Sequence, residues 1–199
     1  MMCSRLIALA AAAGLTACAS SPSPTYLMLA APQSAPVAQA GQRVVLVGPV
    51  SVPENVDRPQ LMVHTSANRV EAVANLRWAQ PYKIEFARAL AAHLALAAAN
   101  PRVVPMSAAV PAEPHLRLTV DVLSVELRDG ESASLEVLWV LRESPGGKEL
   151  ISQRSVLREV VNANGGEALV AAQDRALARL AAEITPALGS SQNVGKRAR

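Results

Sequence analysis

Cysteine is nearly absent from this chain. There are 2 in 199 residues, Cys3 and Cys18, both close to the start. Two such residues build neither a disulfide framework nor a cysteine zinc site. Aromatics are scarce as well, with two Trp, two Tyr and one Phe, so the core has to be made of Leu, Val, Ile and Ala. The three histidines, His64, His93 and His115, are scattered without metal-ligand spacing. His93 falls inside a helical stretch and reads as a packed or surface side chain. No glycine-rich loop leads from a strand into a helix, which removes the usual nucleotide cradle. Ser51 has no nucleophile-elbow context. Asp57 and Asp121 lie far apart in sequence, and Asp57-Arg58 reads as a local loop pair. The net charge is only +3, and part of the positive excess sits at Lys196, Arg197 and Arg199. No basic face interleaved with aromatics exists, which argues against nucleic-acid binding. The expectation is a non-catalytic protein with no metal and no cofactor.

What is present begins with an export signal. Arg5 supplies the positive start, and Leu6–Leu15 is an apolar run well short of the about 20 residues needed to span a bilayer. The run ends in Leu15-Thr16-Ala17-Cys18, which resembles the lipobox cut by lipoprotein signal peptidase. Residues 1–17 are then a removable signal peptide, and the Cys18 thiol takes the lipid. Ala19-Ser20 follows, without the Asp that retains enterobacterial lipoproteins at the inner membrane. The expected location is therefore the periplasmic face of the outer membrane of a Gram-negative bacterium. Each buried acyl methylene contributes about 0.8 kcal/mol, so two or three chains anchor stably.

In the mature chain, residues 18–42 hold a Ser/Pro tether, a short strand at Tyr26-Leu27-Met28-Leu29 and an Ala/Pro/Gln-rich flexible connection. Residues 43–188 form the domain, and 189–199 a basic, disordered tail. In Arg43–Val47 the residues Val44, Val45, Leu46 and Val47 are contiguous and apolar, a run suited to a strand buried on both faces. Leu61–His64 and Arg69–Val73 flank a turn at Ser66-Ala67-Asn68. Pro81–Ala99 is a helix with Phe86, Leu90, Leu94 and Ala97 on one stripe. Arg102–Val104 is a short strand. Leu116, Leu118, Val120 and Val122 alternate with polar residues, after which Leu123, Val125 and Leu127 become the apolar set; such a phase change predicts a bulge. Asp129-Gly130 is a hairpin turn, Ala133 to Leu141 the returning core face, and Glu149–Val160 a third strand. Glu167–Leu188 is the last helix, with Arg175, Arg179 and Glu183 along its outer face. The fold class is α+β: a single domain, with a mixed, antiparallel-rich sheet and two helices packed on one face.

Two segments stand out. One is Val47-Gly48-Pro49-Val50-Ser51-Val52-Pro53, continuing to Asp57-Arg58-Pro59-Gln60-Leu61, where prolines stiffen the chain after a buried strand. The other is Leu76-Arg77-Trp78-Ala79-Gln80-Pro81, where an aromatic stands just ahead of a helix and can staple it to the sheet. These motifs, with Tyr26-Leu27-Met28-Leu29, Asn68-Arg69-Val70, the strand Leu118–Val125, Glu136-Val137-Leu138-Trp139 and Glu167-Ala168-Leu169-Val170, resemble the ABC-type transport auxiliary lipoproteins of the PqiC (YmbA) family. The likeness runs from about Tyr26 to Ile184. Val56 departs from it, where many relatives carry Leu or an aromatic.

The resemblance implies a role rather than a reaction. Its members work with MCE-domain proteins that conduct lipids across the periplasm, some powered by an inner-membrane permease and ABC system. Some assemble as homo-oligomeric rings. The partner-contact candidates are Val56, Asp57, Arg58, Gln60 and Trp78. The competing readings are a periplasmic carrier that itself holds an acyl chain, in room left by Ala87, Ala91 and Ala98, and an envelope hydrolase. The lipobox yields a direct expectation: Cys18→Ala leaves a full-length, unlipidated precursor, checked by the absence of radiolabelled palmitate on the mutant protein.

Overall fold

The computed structural model describes residues 23–30, 32, 43–98, 100, 102–106 and 113–194. Residues 1–17, Cys18, nearly all of the 31–42 connection and residues 195–199 lie outside the described residues.

Alternation along the long strands sets the architecture. In β6 (His115–Arg128) and β7 (Ser132–Ser144), Leu116, Leu118, Val120 and Val122 face the same way as Ala133, Leu135, Val137, Trp139 and Leu141, and all are buried. The strands pair antiparallel with Leu118 opposite Leu141 and Val120 opposite Trp139. β8 (Glu149–Val160) adds to β7 and places Leu157 beside Leu135. Such a one-sided apolar surface has to be covered. The two helices cover it: α1 (Tyr82–Ala97) lies against β2 and β5, and α2 (Gly166–Val194) against β7 and β8, each also packed on the other.

The remaining strands complete two sheets. β2 (Val45–Ser51) runs parallel to β6 on one side and to β5 (Val103–Pro105) on the other, giving the order β5-β2-β6-β7-β8. Paired on both edges, Val45, Leu46 and Val47 are buried, as a contiguous apolar run demands. β3 (Gln60–Ser66) and β4 (Arg69–Trp78) form a hairpin through Ala67-Asn68, and β1 (Thr25–Leu27) joins β4 in parallel. This second sheet, β1-β4-β3, is separate from the first. The α+β class with both helices on one face holds, but the strands divide into two sheets where one was expected. Sequence-adjacent strands pair within each sheet, and nothing local specifies that the first hairpin stops short of joining β6.

The bulge in β6 is present, with the register shifting between Val122 and Ser124. Leu123 is the extra residue and turns outward, 41% exposed, so it does not share the core face assigned to it. Its insertion is what keeps Val125 and Leu127 buried after Val122. Those two meet Val56, Leu61 and Met62, joining the small sheet to the large one.

Other differences are local. Phe86, Leu90 and Leu94 are buried in α1, but Ala97 is exposed because it falls in the last turn, past the edge of the sheet. α2 runs on past Leu188 to Val194, so the opening of the supposed 189–199 tail is helical. Arg175 and Arg179 do not merely line a solvated face. Both pair with Glu159, and they donate to the carbonyls of Val160 and Arg158 on β8. They occupy backbone acceptors at the end of an edge strand, a site otherwise open to another chain. Gly130, at φ +66°, makes the β6–β7 turn, and any side chain there would strike Asn164. Asp129 in that turn accepts from the Gly165 N–H at 2.7 Å, tying the hairpin to the start of α2.

Trp139 sits at the middle of this core, fully buried, with its indole N–H donated to Ser155 Oγ at 3.1 Å. Trp139→Ala is expected to lower stability by about 3–5 kcal/mol. Urea unfolding checks this, and an unchanged midpoint would show that the face is not core.

Candidate functional site

The two segments singled out in the sequence meet in space. After β2 the chain turns at Pro53, whose carbonyl accepts the N–H groups of Val56 (3.0 Å) and Asp57 (3.1 Å). That turn drives Val56 inward, where it packs among Leu61, Met62, Trp78, Tyr82, Val125 and Leu127. The Pro59 carbonyl then accepts from Trp78 N–H at 2.7 Å, and the Leu27 carbonyl from Ala79 N–H at 2.8 Å. The Trp78 ring lies 5.1 Å from that of Tyr82, which in turn meets Phe86 edge-on at 6.1 Å. Such pairs add about 0.5–1.5 kcal/mol beyond the area they bury. α1 starts at this aromatic stack: no side chain caps it, and the Pro81 carbonyl accepts from Ile84 and Glu85.

Between the Asp57–Pro59 turn and the Trp78–Pro81 segment an open groove of about 420 Å³ remains, with Lys83 of α1 also lining it. Its base includes Trp78, Pro59 and Pro81, and its charged groups are Arg58, Lys83 and Asp57. Lys83 Nζ donates to Asp57 Oδ2 at 3.1 Å, and both remain partly exposed. A pair of that kind contributes at most about 1 kcal/mol, so its groups can be recruited by a partner at little cost.

Of the partner-contact candidates, Asp57 and Arg58 are exposed at the groove and Gln60 is half-buried where β3 begins. Val56 is 7% exposed and Trp78 6%, so both support the groove from beneath and present almost no surface. Val56 stands beside charged residues in sequence, and only the turn at Pro53 reveals its direction. The Asp57 carboxylate pairs with Lys83 rather than with Arg58. Lys83 carried no sequence signal, because the pairing spans the whole of the β3–β4 hairpin. Asp121 stands apart from Asp57 and accepts from the Ser51 hydroxyl across the parallel β2–β6 pair. His93 is packed between the helices against Asp174, 3.1 Å from its carboxylate. Among the described residues, no three His, Cys, Asp or Glu side chains gather as a metal site, and no helix is long and apolar enough to cross a membrane.

A buried polar cluster under α1 gave no sequence signal. Glu85 is fully buried and pairs with Arg88 at 2.6 Å, while Arg88 also donates to the carbonyl of Leu29 just after β1. The Gln173 amide of α2 donates to the Tyr82 phenol, whose pKa burial pushes well up, so the hydroxyl stays neutral. These contacts lock the N-terminal strand and the second helix onto the first.

The arrangement is that of a small α+β domain seen in other proteins. The crystal structure of an uncharacterized protein superposes with a TM-score of 0.67 at 21% identity, covering 83% of this chain and 98% of its own. A protein from Xanthomonas campestris gives 0.60 at 19% identity, covering 88% and 98%. Both show a shared fold. No curated protein matches the sequence. Residues 26–185 match the model of the ABC-type transport auxiliary lipoprotein component, and the chain belongs to that family.

Burial separates support from surface at this site. Val56→Asp would place an uncompensated charge in the core and is expected to cost about 3 kcal/mol or more. Arg58→Glu should change stability by no more than about 0.5 kcal/mol. Denaturation midpoints of the two variants check the assignment.

Proposed function

We propose that this transport auxiliary lipoprotein is held by lipid on Cys18 at the periplasmic face of the outer membrane. There it docks the conduit of an MCE-type lipid transport system, without performing catalysis. The groove at the start of α1 carries the docking part of this reading. It joins a stiff, apolar base to exposed charges of both signs, the mixture found in protein interfaces. Its loop is already held by Pro53, Pro59 and their backbone hydrogen bonds, so little conformational entropy is lost on binding. The lipobox and the family support the anchor and the transport role.

The carrier reading fits the packing less well. Ala91 is buried, as are Ala172, Ala176 and Ala181 of α2, so these small side chains are covered by their neighbours. The space among Val56, Tyr82 and Val125 is about 10 Å³, about enough for one water and far short of an acyl chain.

A domain beginning at Pro24 should capture the genomically adjacent MCE protein without metal, nucleotide or other cofactor. The Arg58→Glu, Lys83→Glu double variant should lose at least about tenfold in capture, a 1.4 kcal/mol effect or more, with circular dichroism unchanged. Full capture by the folded variant would remove the groove from the interface, and no capture by wild type would count against the partner.

A further inference from the structure

Only residues 19–25 separate Cys18 from Tyr26. Fully extended, a stretch of that length spans about 28 Å, whereas a domain of this size is about 40 Å across. Once Cys18 carries its lipid, which is the anchoring proposed above, the side bearing β1 is therefore kept near the bilayer and the far side cannot reach it. That side carries two large apolar side chains in water: Tyr26 is 63% exposed and Met28 54%. They alternate with Leu27 and Leu29, which are 6% and 0% exposed, so the outward pair shares one direction while the inward pair is fixed in the core. Among the described residues, β1 lies at the edge of its sheet. Beside Met28 and Ala30 lies an open groove of about 390 Å³ whose far wall is on α2, with Val170 and Ala171 as its apolar part and Glu167, Asp174 and Arg175 as its charged groups.

We infer that Tyr26 and Met28 form a membrane-resting face, seated at headgroup level in the bilayer that holds the lipid anchor, and that this contact sets the orientation of the domain. Tyrosine suits that depth because its ring leaves water while its hydroxyl stays hydrated. Methionine supplies a flexible apolar side chain that adapts to an irregular surface. Two side chains would hold a free protein poorly. A short tether makes the encounter intramolecular, at a high effective concentration. The charged groups Glu167, Asp174 and Arg175 in the adjoining groove are costly to take out of water and oppose deeper entry, so the seat is shallow. The grip of Arg88 on the Leu29 carbonyl makes the strand rigid with the domain, so seating the pair orients everything attached to it.

Because the mature chain has no cysteine besides Cys18, one introduced cysteine gives one free thiol. The full-length lipoprotein is reconstituted into phosphatidylethanolamine–phosphatidylglycerol vesicles with an environment-sensitive dye on Tyr26→Cys, Met28→Cys or Val156→Cys. Val156 is 69% exposed on the face of the large sheet turned away from the helices and serves as the distal control. Dye at 26 and 28 should shift to the blue and be quenched several-fold by nitroxide-bearing lipids, while dye at 156 should do neither. Vesicle flotation reports the anchor separately. Protein that floats without a shift at 26 and 28, or with an equal shift at 156, overturns the membrane-resting face alone. Protein that does not float overturns the anchor, and this inference with it.

Discussion

The contact of the Trp78 ring with that of Tyr82 is the junction on which the other parts depend. Trp78 is the last residue of β4, where it pairs with Leu27 of β1, and its N–H closes the loop at Pro59. Its ring meets the first residue of α1. One residue thus brings together the N-terminal strand and the proline-rich loop through its backbone and the helical layer through its ring. In a chain with two Trp, two Tyr and one Phe, three of these aromatics, Trp78, Tyr82 and Phe86, are spent on this corner. The rest of the core is packed by aliphatic side chains around Trp139. Aromatics bury large areas and define their neighbours' positions more sharply than Ala or Val. A corner where three segments converge at different angles is where that definition counts most.

How much of this was legible in the sequence follows from the range of each signal. β6, β7 and β8 could be read almost to the residue, because alternation and the Asp129-Gly130 turn are local patterns. The inward faces of both helices were readable from their spacing. The parallel placing of β2 between β5 and β6 was not, since parallel pairing joins segments far apart in the chain and leaves no periodicity at the join. The division into two sheets was hidden for the same reason. At the bulge, pattern announced an extra residue but could not say which one; Leu123 was grouped with the core because apolar character alone does not give direction.

The groove was half legible. Proline content marked the loop and the lone aromatic marked the start of the helix, and the two do meet. What pattern could not supply was the direction of each side chain. Val56 and Trp78 point inward, and Lys83, on the helix, completes the site from the far side of the β3–β4 hairpin. The buried Glu85–Arg88 pair escaped notice because on a helix such spacing usually means a solvated surface pair. Here the carboxylate is fully buried, and its role emerges only once Leu29 is seen to supply the third group.

That third group bears on how the N-terminal strand is joined to the rest of the domain. β1 has only three residues, and so short a strand is weak by itself. Leu27 and Leu29 add burial on its inner side, and Gly166 leaves the space that lets Leu27 and Leu76 close against the start of α2, since a Cβ there would strike Leu76 and crowd Leu27. Arg88 then holds the backbone at Leu29, and Glu85 holds Arg88. Because Leu27 pairs with Trp78, the N-terminal strand and the wall of the groove are parts of one packed unit. A displacement applied at either is carried to the other through packed side chains and backbone hydrogen bonds rather than through a flexible linker.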